Sequence, residues 1–510
     1  MAYREDTGAG IRDNHAGKAA RTVGYILALI QLILTVVFIV FMRFVPIIPD
    51  KYKLMISVAL VLIVLIAVLM QRWLVSGIFG KIISVIMSVI LAFGCIYVNA
   101  TYSAIDKITG NTTKISTVGI YVLSADEMAS LKDEEALASL ASVNIGTPSN
   151  VGKESVSATI KHVSESGYTL TTSEYAGMIE TAGALYSGEV RAMIIDESYI
   201  TLLTETYPNF TVDTVVVYEY KVVDELTEGD GTGSASDNVM NTEAPASSGI
   251  YTFYFSGVDV YGSPAENRNS DVNILCVVNF NTQQILLLNT PRDFYVDTTV
   301  SLGSGLKDKL THAGCAGVDC SVGTLEMLYG IDINYYFKIN FTGFIDIIDK
   351  LGGVDVYSEY EFYADEYHYV QGYNSLDGAA ALRFARERHS FPSGDIQRGK
   401  NQMAVIQAMI KKMASTDMVL NYTSVVAAIS DSMVTNMSSE EMGEFVGKVD
   451  MGSLGGWSVS SFTVGGAGDT LCTYSMPNSP NYVMIPDENL MNMAKAYLTS
   501  MYSNETITVQ

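Results

Sequence analysis

The stretch 383–402, RFARERHSFPSGDIQRGKNQ, holds four arginines in a chain of 510 residues whose formal net charge is −24. Asp395, Arg398 and Gln402 are spaced as i, i+3 and i+7, so a helix would carry them on one face. Ser393-Gly394 would cap the start of this helix. The sequence therefore predicts charged side chains on the buried side of a helix near its N-terminus, where charge is costly unless it is paired or meets a ligand.

Two further arginines, Arg386 and Arg388, alternate as an extended segment would present them, with both guanidinium groups on one side. Guanidinium groups that converge on a helix N-terminus form a site for a phosphate or pyrophosphate. A structural network of salt bridges, in which Asp395 and Glu387 pair with the arginines, explains the same pattern. The spacing of the charges leaves both interpretations open.

The composition limits the class of protein. A pI near 4.5 argues against nucleic acid as the partner. Five cysteines are too few for a disulfide scaffold and show no zinc spacing. Cys315 and Cys320 are close in sequence, and either a disulfide outside the membrane or two free thiols fits them. The length allows two or three domains.

Three apolar runs, at about 22–45, 54–70 and 75–98, follow a polar, basic tail at 1–21. Their lengths predict three transmembrane helices within 22–98. The basic tail places the N-terminus in the cytoplasm, although Arg43, Lys51 and Lys53 then lie in an outside loop. Three crossings put residues 100–510 outside the cell. In a bacterium that compartment contains no ATP, so any phosphoryl transfer there would have to use a substrate that was activated in advance.

Residues 115–222 alternate strand and helix patterns, which predicts a small extracellular α/β domain. We expect strands at 117–123, 190–196 and 211–221, and helices at 125–141 and 172–185. The run SGEVRAMIIDESYITLL resembles a lobe of the extracellular solute-binding proteins. A ligand-sensing module and an inert spacer both remain open. Residues 224–249 are acidic and rich in Gly, Ser and Ala, which predicts a flexible linker.

Residues 250–500 again alternate strands with helices, which predicts an α/β/α sandwich around a mixed sheet. A hairpin is expected from strands at 274–280 and 284–289. Helices are expected at 321–329 and at 341–350, and Gly352-Gly353 would end the second of these. The remaining elements are a strand at 354–357, a helix at 439–449, a strand near 457–464 and a final helix near 488–500.

Short motifs run in order through this last domain: Asp259; Asp271 to Leu275; Asn289 to Asp293; Lys309 to Ala313; Asn340 to Phe344; Leu351 to Val356; Leu376 to Gly378; Ala381 to Arg388; and Asp395, Arg398 and Gln402. Over residues 250–415 the chain closely resembles the LytR–CpsA–Psr family of cell-envelope proteins, and the transmembrane runs also fit that family. The segment 314–320 departs from the commoner form of the family, in which cysteines are not usual.

The resemblance implies a phosphotransferase at the outer face of the membrane of a bacterium, of the Gram-positive type. Members of the family take a glycopolymer, such as a teichoic acid or a capsular polysaccharide, from a polyprenyl-pyrophosphate lipid. They pass it with one phosphate to peptidoglycan, typically to the 6-hydroxyl of N-acetylmuramic acid. Polyprenyl phosphate leaves, and Mg²⁺ usually assists. The lipid pyrophosphate carries its own activation, so no ATP is required.

The resemblance also implies roles for single residues. The pyrophosphate would be bound by four arginines: Arg292, Arg386, Arg388 and Arg398. Mg²⁺ would be held by Asp259 and Asp271, although Asp271 could instead cap the turn before its strand. Asp395 would hold Arg398 or take the proton of the acceptor hydroxyl; arginines beside it should lower its pKa, so the base stays unassigned. Gln402 would form a hydrogen bond with a phosphate or an arginine, and Lys309 and His312 would lie behind it. Phe344 and Ile348 would line an apolar slot for the polyprenyl tail or belong to the ordinary core.

Two alternatives to transfer remain open. One is a sensory or regulatory membrane protein that binds lipid phosphates without transferring anything. The other is a polyprenyl-pyrophosphate phosphatase, in which water replaces the sugar hydroxyl. The arginine and aspartate positions favour catalysis, and they do not identify the glycopolymer.

Overall fold

The computed structural model describes residues 8–45, 50–73, 78–109, 113–225, 244–258, 263–413, 424–425, 427–430, 432–448 and 457–509. The contacts within it divide the chain into two compact units. The first comprises Met1–Lys107, Tyr422–Ser430 and Ser438–Asp450, and the second comprises Ile108–Asn421, Asp431–Met437 and Met451–Gln510.

Three long helices dominate the first unit: α1 (Gly8–Arg43), α2 (Asp50–Trp73) and α3 (Ile78–Thr109). A shorter helix at Ser439–Lys448 belongs to the same unit. The stretches Arg21–Arg43, Tyr52–Met70 and Ile78–Ala104 are long and apolar enough to cross a membrane. Large apolar side chains project outward along all three, which suits lipid and not water. The three apolar helices predicted from the sequence are confirmed.

The second unit contains two large sheets, and residues 113–225 form the first of them, here called the N-terminal lobe. Its strands follow the order β3-β2-β4-β1-β5. The elements are β1 (Thr113–Leu123), α4 (Asp133–Leu140), β2 (Asn144–Pro148), α5 (Lys153–Glu165), β3 (Thr171–Tyr175), α6 (Met178–Ser187), β4 (Ala192–Asp196), α7 (Ile200–Thr206), α8 (Phe210–Asp213) and β5 (Thr214–Glu225).

Three predictions for the N-terminal lobe are wrong in detail. Residues 211–213, expected at the start of a strand, belong to helix α8, and the strand begins at Thr214. Residues 172–175, expected at the start of a helix, belong to the strand β3 because this segment pairs in parallel with β2, and tertiary pairing overrides the local helical period. The helix expected at 125–141 is a short 3₁₀ turn at Glu127–Ser130 followed by α4. The predicted linker begins later than expected, since β5 continues to Glu225; residues 226–243 lie outside the described part of the chain.

The second sheet belongs to the described residues of the second unit from 244 to 509, here called the C-terminal lobe, and has the order β16-β11-β6-β7-β8-β17. The lobe contains α9 (Pro245–Ser248), β6 (Ile250–Val258), β7 (Ser270–Asn279), β8 (Gln284–Asn289), β9 (Tyr295–Val296), β10 (Asp308–Lys309), α10 (Leu310–Ala316), α11 (Val318–Tyr329), β11 (Tyr335–Asn340), α12 (Phe341–Lys350), β12 (Val354–Ser358), β13 (Phe362–Ala364), β14 (Tyr367–Tyr369), β15 (Gly372–Leu376), α13 (Gly378–Arg386), α14 (Asp395–Met413), β16 (Met433–Thr435), β17 (Ser458–Thr463), β18 (Gly466–Leu471), β19 (Asn481–Pro486) and α15 (Glu488–Tyr502).

Strands β7 and β8 are both interior strands of this sheet and are buried along most of their length. Their near-continuous apolar sequences, NILCVVN and QILLLN, fit strands that are covered on both faces. One hydrophobic cluster packs them with α10, α11 and α15, and a second one joins α12, α13 and α14 to the strands β12–β15. The mixed α/β class predicted from the sequence is confirmed.

The centre of β8 provides a test of this packing. Replacing the fully buried Leu288 by Ala leaves a cavity, so we expect the free energy of unfolding to fall by about 2–5 kcal/mol. Val459→Ala on the neighbouring strand β17 is the control, since that side chain is 41% exposed; it should cost no more than about 0.5 kcal/mol. Urea unfolding of the solubilised chain, followed by circular dichroism, measures both. Equal losses would contradict the placement of Leu288.

Candidate functional site

The pairing of β7 with β8 brings the first charged residues together. Ile274 lies opposite Asn289 in an antiparallel register. The first residues of β7 and the residues after β8 therefore meet at one edge of the sheet. Arg292 Nη1 donates to Asp271 Oδ1 at 2.6 Å, and Arg292 Nε lies 3.7 Å from Asp293 Oδ2.

Helix α14 adds the second half of the cluster. Its first residue, Asp395, forms an ion pair with Arg398 one turn later. The next residue is Gly399, where a Cβ atom would overlap the side-chain amide of Asn289 at the end of β8. Because glycine permits this close approach, the first turn of α14 packs directly on the edge that carries Arg292.

A third arginine, Arg388, is near enough to these groups to influence the pKa of Asp395. Burial raises the pKa of Asp395, while the positive charges of Arg398, Arg292 and Arg388 each act to lower it. Burial lowers the pKa of Arg398, and the nearby Asp395 only partly offsets this. Burial acts in the same direction on Arg292, but Asp271 and Asp293 outweigh it and hold its pKa above the ordinary value. We call these residues, Arg292, Arg388, Arg398, Asp271, Asp293 and Asp395, the charged cluster.

The prediction that the pKa of Asp395 lies below its ordinary value is wrong, although the arginines beside it do act in that direction. The carboxyl group lies in the first turn of α14 and is largely shielded from water, with 13% of its side chain exposed. Removing a carboxylate from water favours its protonated form, and here this cost exceeds the attraction of the arginines.

Arg386 does not share an extended segment with Arg388 as predicted. It is the last residue of α13, and its guanidinium group lies 4.5 Å from the centroid of the Phe341 ring. The helix continues this far because Asp377 caps its start and its apolar face is buried. Glu387, expected in the salt-bridge network, instead accepts a hydrogen bond from the backbone of Ser390 at 2.7 Å.

Lys309 and His312 lie behind the cluster. Lys309 is buried, with Nζ 3.7 Å from Asp293 Oδ1. His312 Nδ1 lies 2.7 Å from Asp308 Oδ1, and Asp308 Oδ2 accepts a hydrogen bond from the backbone of Ser475 at 3.1 Å. His312 is thus held in a buried network, while Lys309 faces the carboxylate next to Arg292.

The other predicted substrate residues divide into two kinds. Gln402 is buried on α14, one turn after Arg398. Ile348 is fully buried in the cluster that also contains Val405, and Phe344 is partly buried at the margin of the same cluster. The position of Ile348 is that of an ordinary core residue, whereas Phe344 retains some exposure.

The predicted magnesium residues are only partly covered by the structure. Asp259 lies outside the described residues. Asp271 is described, and its Oδ1 is shared by Arg292 at 2.6 Å and Thr311 at 3.5 Å. Within the described ranges, no three His, Cys, Asp or Glu side chains are grouped to hold a metal ion. A carboxylate at the edge of an arginine cluster nevertheless has the hard oxygen donors that Mg²⁺ prefers.

Two members of the site escaped prediction. Asp293 is the first of them, and its position directly after Arg292 in the sequence was the feature that could have identified it. Tyr482 lies on β19, and its pKa is raised by burial and by Asp293 and Asp395, while Arg388 opposes this. No local pattern marks Tyr482, since about ninety residues separate it from the arginine stretch. Cys315 and Cys320 are two free thiols.

A cavity of about 660 Å³ lies between the two lobes of the second unit. Its lining includes Lys114 and Ser116 from the N-terminal lobe and Asn267 and Asp319 from the C-terminal lobe. Lys114 and Asp319 pair across the boundary at 3.1 Å. None of its described lining residues belongs to the charged cluster. The ligand-sensing and spacer interpretations of residues 115–222 both stay predictions.

Comparison with known proteins gives a family match. The model of the LytR_cpsA_psr family matches residues 214–493. A polyisoprenyl-teichoic acid–peptidoglycan teichoic acid transferase, TagU, of Bacillus cereus is 39% identical over 187 residues, which cover 36% of this chain and 60% of the relative. The Enterococcus faecalis protein of the same name is 36% identical over 178 residues, which cover 35% and 58% of the two chains. The match thus spans about 60% of the length of these curated relatives.

A solved structure, that of B. subtilis TagV, aligns with a TM-score of 0.42 and 24% identity. The alignment covers 51% of this chain and 98% of that one.

The close approach at Gly399 provides a test of the site geometry. Gly399→Ala should push α14 away from β8 and lower the stability by roughly 1–3 kcal/mol, because the new methyl group overlaps Asn289. Adding Asn289→Ala to that variant should restore part of the loss, as it removes the overlapping amide. Thermal unfolding of the solubilised chain measures both, with Lys400→Ala, an exposed neighbour, as the control. A double variant no more stable than Gly399→Ala would argue against this contact.

Proposed function

The chain belongs to the LytR_cpsA_psr family, and from that premise we propose that it is a membrane-anchored glycopolymer transferase. It would move a glycopolymer from a polyprenyl-pyrophosphate lipid to peptidoglycan. The observation that carries the proposal is the charged cluster, in which Arg292 pairs with Asp271, Arg398 pairs with Asp395, and Arg388 is near enough to influence the same mostly buried carboxyl group of Asp395. The names of the curated relatives, teichoic acid transferases, support a teichoic acid as the polymer, with a capsule or a related glycan as the other candidates.

The proposed topology follows from the apolar helices and the basic tail. Residues 1–21 lie in the cytoplasm, and residues 22–98 cross the cell membrane three times. The lobes at residues 115–222 and 250–500 are then outside, the second as an α/β/α catalytic sandwich. Anchoring raises the effective concentration of an enzyme whose donor substrate lies in the same membrane.

The cluster suits a pyrophosphate for electrostatic reasons. Arg398 is buried and Arg292 is mostly so, and carboxylates already orient both, so little reorganisation is needed when an anion arrives. Phosphoryl transfer spreads charge over the oxygens of the moving group, and fixed guanidinium groups stabilise that charge. Arg386, above the ring of Phe341, would contact the substrate from the side of α13. Lys309 and Gln402 would help the arginines to bind the pyrophosphate, and Phe344 would contact the polyprenyl tail.

In the proposed reaction, a hydroxyl oxygen of peptidoglycan attacks the phosphorus that bears the glycopolymer. The bond from that phosphorus to the bridging oxygen breaks, and polyprenyl phosphate leaves with the electron pair. The proton of the hydroxyl passes to Asp395. A raised pKa makes this carboxylate a stronger base than an ordinary aspartate, and so fits it to the task.

Mg²⁺ would be held by Asp271 together with Asp259, as the resemblance to the family implies. Bound there, it would neutralise part of the charge on the pyrophosphate. Because Asp271 Oδ1 already accepts a hydrogen bond from Arg292, this carboxylate links the proposed metal position to the arginines.

The role of Arg388 is testable by substitution. Arg388 is half-buried at the margin of the cluster, so its removal should spare the fold. Arg388→Ala should lower turnover on the order of 10³-fold. The assay follows transfer of labelled glycopolymer from the lipid to peptidoglycan by the solubilised chain. Arg191→Ala, which loses an exposed ion pair in the N-terminal lobe, is the matched control. Unaltered turnover by a folded Arg388→Ala protein would refute the role, and Arg386→Ala tests its neighbour in the same way.

The role of Asp395 predicts a pH dependence. Only the deprotonated carboxylate accepts a proton, and burial raises its pKa above the ordinary 3.8. The acidic limb of the kcat/KM profile should therefore lie above that value, and activity should fall as the pH drops through the limb. Asp395→Asn should lose this limb along with about 10²–10⁴-fold of the rate. A variant that keeps both the rate and the limb would exclude Asp395 as the base.

Transfer and hydrolysis differ in their need for an acceptor. The solubilised chain, given the lipid substrate and Mg²⁺ without peptidoglycan, should release little polyprenyl monophosphate. Addition of peptidoglycan fragments should start the release and produce labelled peptidoglycan in equal amount. Rapid release without an acceptor would identify a phosphatase, and binding without release would favour the sensory alternative.

A further inference from the structure

Residues 354–376 form a long β-hairpin with two different faces. Strand β12 pairs with β15 and strand β13 pairs with β14, both antiparallel. Side chains on successive residues of a strand point to opposite faces. The inward set packs into the hydrophobic cluster beneath: Val354, Val356, Phe362, Ala364, Tyr369 and Leu376. The core thus accounts for one face of the hairpin and leaves the other one facing outward.

The outward face carries aromatic rings. Tyr357, Tyr363 and Tyr373 are 52%, 64% and 69% exposed. Tyr357 lies directly opposite Tyr373, and their ring centroids are 5.4 Å apart with an interplanar angle of 74°. On the other strand pair, Tyr363 stacks on His368 with centroids 4.4 Å apart. Aromatic side chains are usually buried, so a group of them held open on one rigid surface indicates a ligand.

The charges on the hairpin narrow the class of ligand. The exposed acidic residues of this segment are Asp355, Glu359, Glu361, Asp365 and Glu366. Glu359 pairs with Lys400 at 3.5 Å and Asp365 pairs with Arg383 at 3.0 Å. The sequence between residues 351 and 382 itself contains no Lys or Arg. Such a surface repels anionic headgroups and phosphate-rich polymers. It suits uncharged sugar rings, whose C–H faces stack on aromatic rings and whose hydroxyl groups donate to carboxylates.

The hairpin also adjoins the charged cluster. The hydroxyl group of Ser390 donates to the backbone oxygen of Tyr363 at 3.1 Å. The ring of Phe391 lies 5.8 Å from that of Tyr360. Both contacts come from the loop that begins with Arg388. A polymer bound along the tyrosines would therefore lie beside the arginines.

We propose that the outward face of this hairpin, with Tyr357, Tyr363 and Tyr373, binds the glycan strand of peptidoglycan, the acceptor. The inference rests on the proposed function. We assign the acceptor and not the donor because the backbone of peptidoglycan consists of uncharged N-acetylated sugars, whereas a teichoic acid carries a phosphate in every repeat. The surface would hold the strand while one of its hydroxyl groups reaches the phosphorus.

The test uses the full chain solubilised in detergent and the double variant Tyr357→Ala/Tyr373→Ala. Its binding to purified peptidoglycan sacculi, stripped of attached polymers and measured by co-sedimentation, should weaken roughly tenfold through the loss of two stacking rings. In the transfer assay the KM for the acceptor should rise by a similar factor. The kcat at saturating acceptor and the KM for the donor lipid should stay unchanged.

The control is Tyr357→Phe/Tyr373→Phe, which keeps both rings and loses only the hydroxyl groups. It should bind sacculi like the parent chain. The far-ultraviolet circular dichroism and the melting temperature of each variant show whether the hairpin remains folded. If the alanine variant misfolds, Tyr363→Ala replaces it, with the same expected direction of change.

Two results would overturn the inference. One is unchanged binding of sacculi and unchanged acceptor KM in a folded alanine variant. The other is a rise in the donor KM alone, which would assign the face to the lipid-linked polymer. Failure of the proposed function has a different signature: the parent chain itself would transfer no polymer. The sacculus-binding measurement does not depend on turnover and still tests the surface in that case.

Discussion

The burial of opposite charges at the end of β8 is the constraint on which the rest of the structure depends. Arg398 and Asp293 are buried, and the side chains of Arg292 and Asp395 are mostly so. A buried charge without a partner costs several kcal/mol, so each of these groups requires its neighbours. The loop after β8, the start of β7 and the first turn of α14 therefore have to assemble together. The glycine at position 399 permits this by letting the helix touch the strand.

The same constraint prepares the site for an anion. Three arginines face three aspartates in the cluster, and Lys309 behind it adds one further positive charge, inside a protein that is strongly acidic overall. The carboxylates hold the guanidinium groups in place before any substrate arrives. When a pyrophosphate binds, the arginines exchange carboxylate partners for phosphate oxygens. The site then needs little reorganisation, because the guanidinium groups are already oriented. The raised pKa of Asp395 has the same origin, since it results from burial among these groups.

The hairpin beside the cluster follows a different principle. Successive side chains of a strand point to opposite faces. The inward side chains of the hairpin therefore pack into the core, while the outward ones remain available to bind a ligand. Carrying the tyrosines on a strand pair, and not on a long loop, holds the rings in one geometry. The proposed donor and acceptor sites thus lie on adjoining elements, the loop from Arg388 and the hairpin, joined through Ser390 and Phe391.

Elements that depend on local pattern were determined by the sequence itself. The three apolar helices follow from the length of their apolar runs, β8 from a short apolar run between turn residues, and α12 from its period and the Gly-Gly pair that ends it. Only the tertiary structure decided that residues 171–175 form a strand and that Arg386 ends a helix over the ring of Phe341. It also decided that the pKa of Asp395 is raised and that Tyr482 adjoins the cluster. These features arise from pairing and burial between residues far apart in the chain, and no local period records either of them.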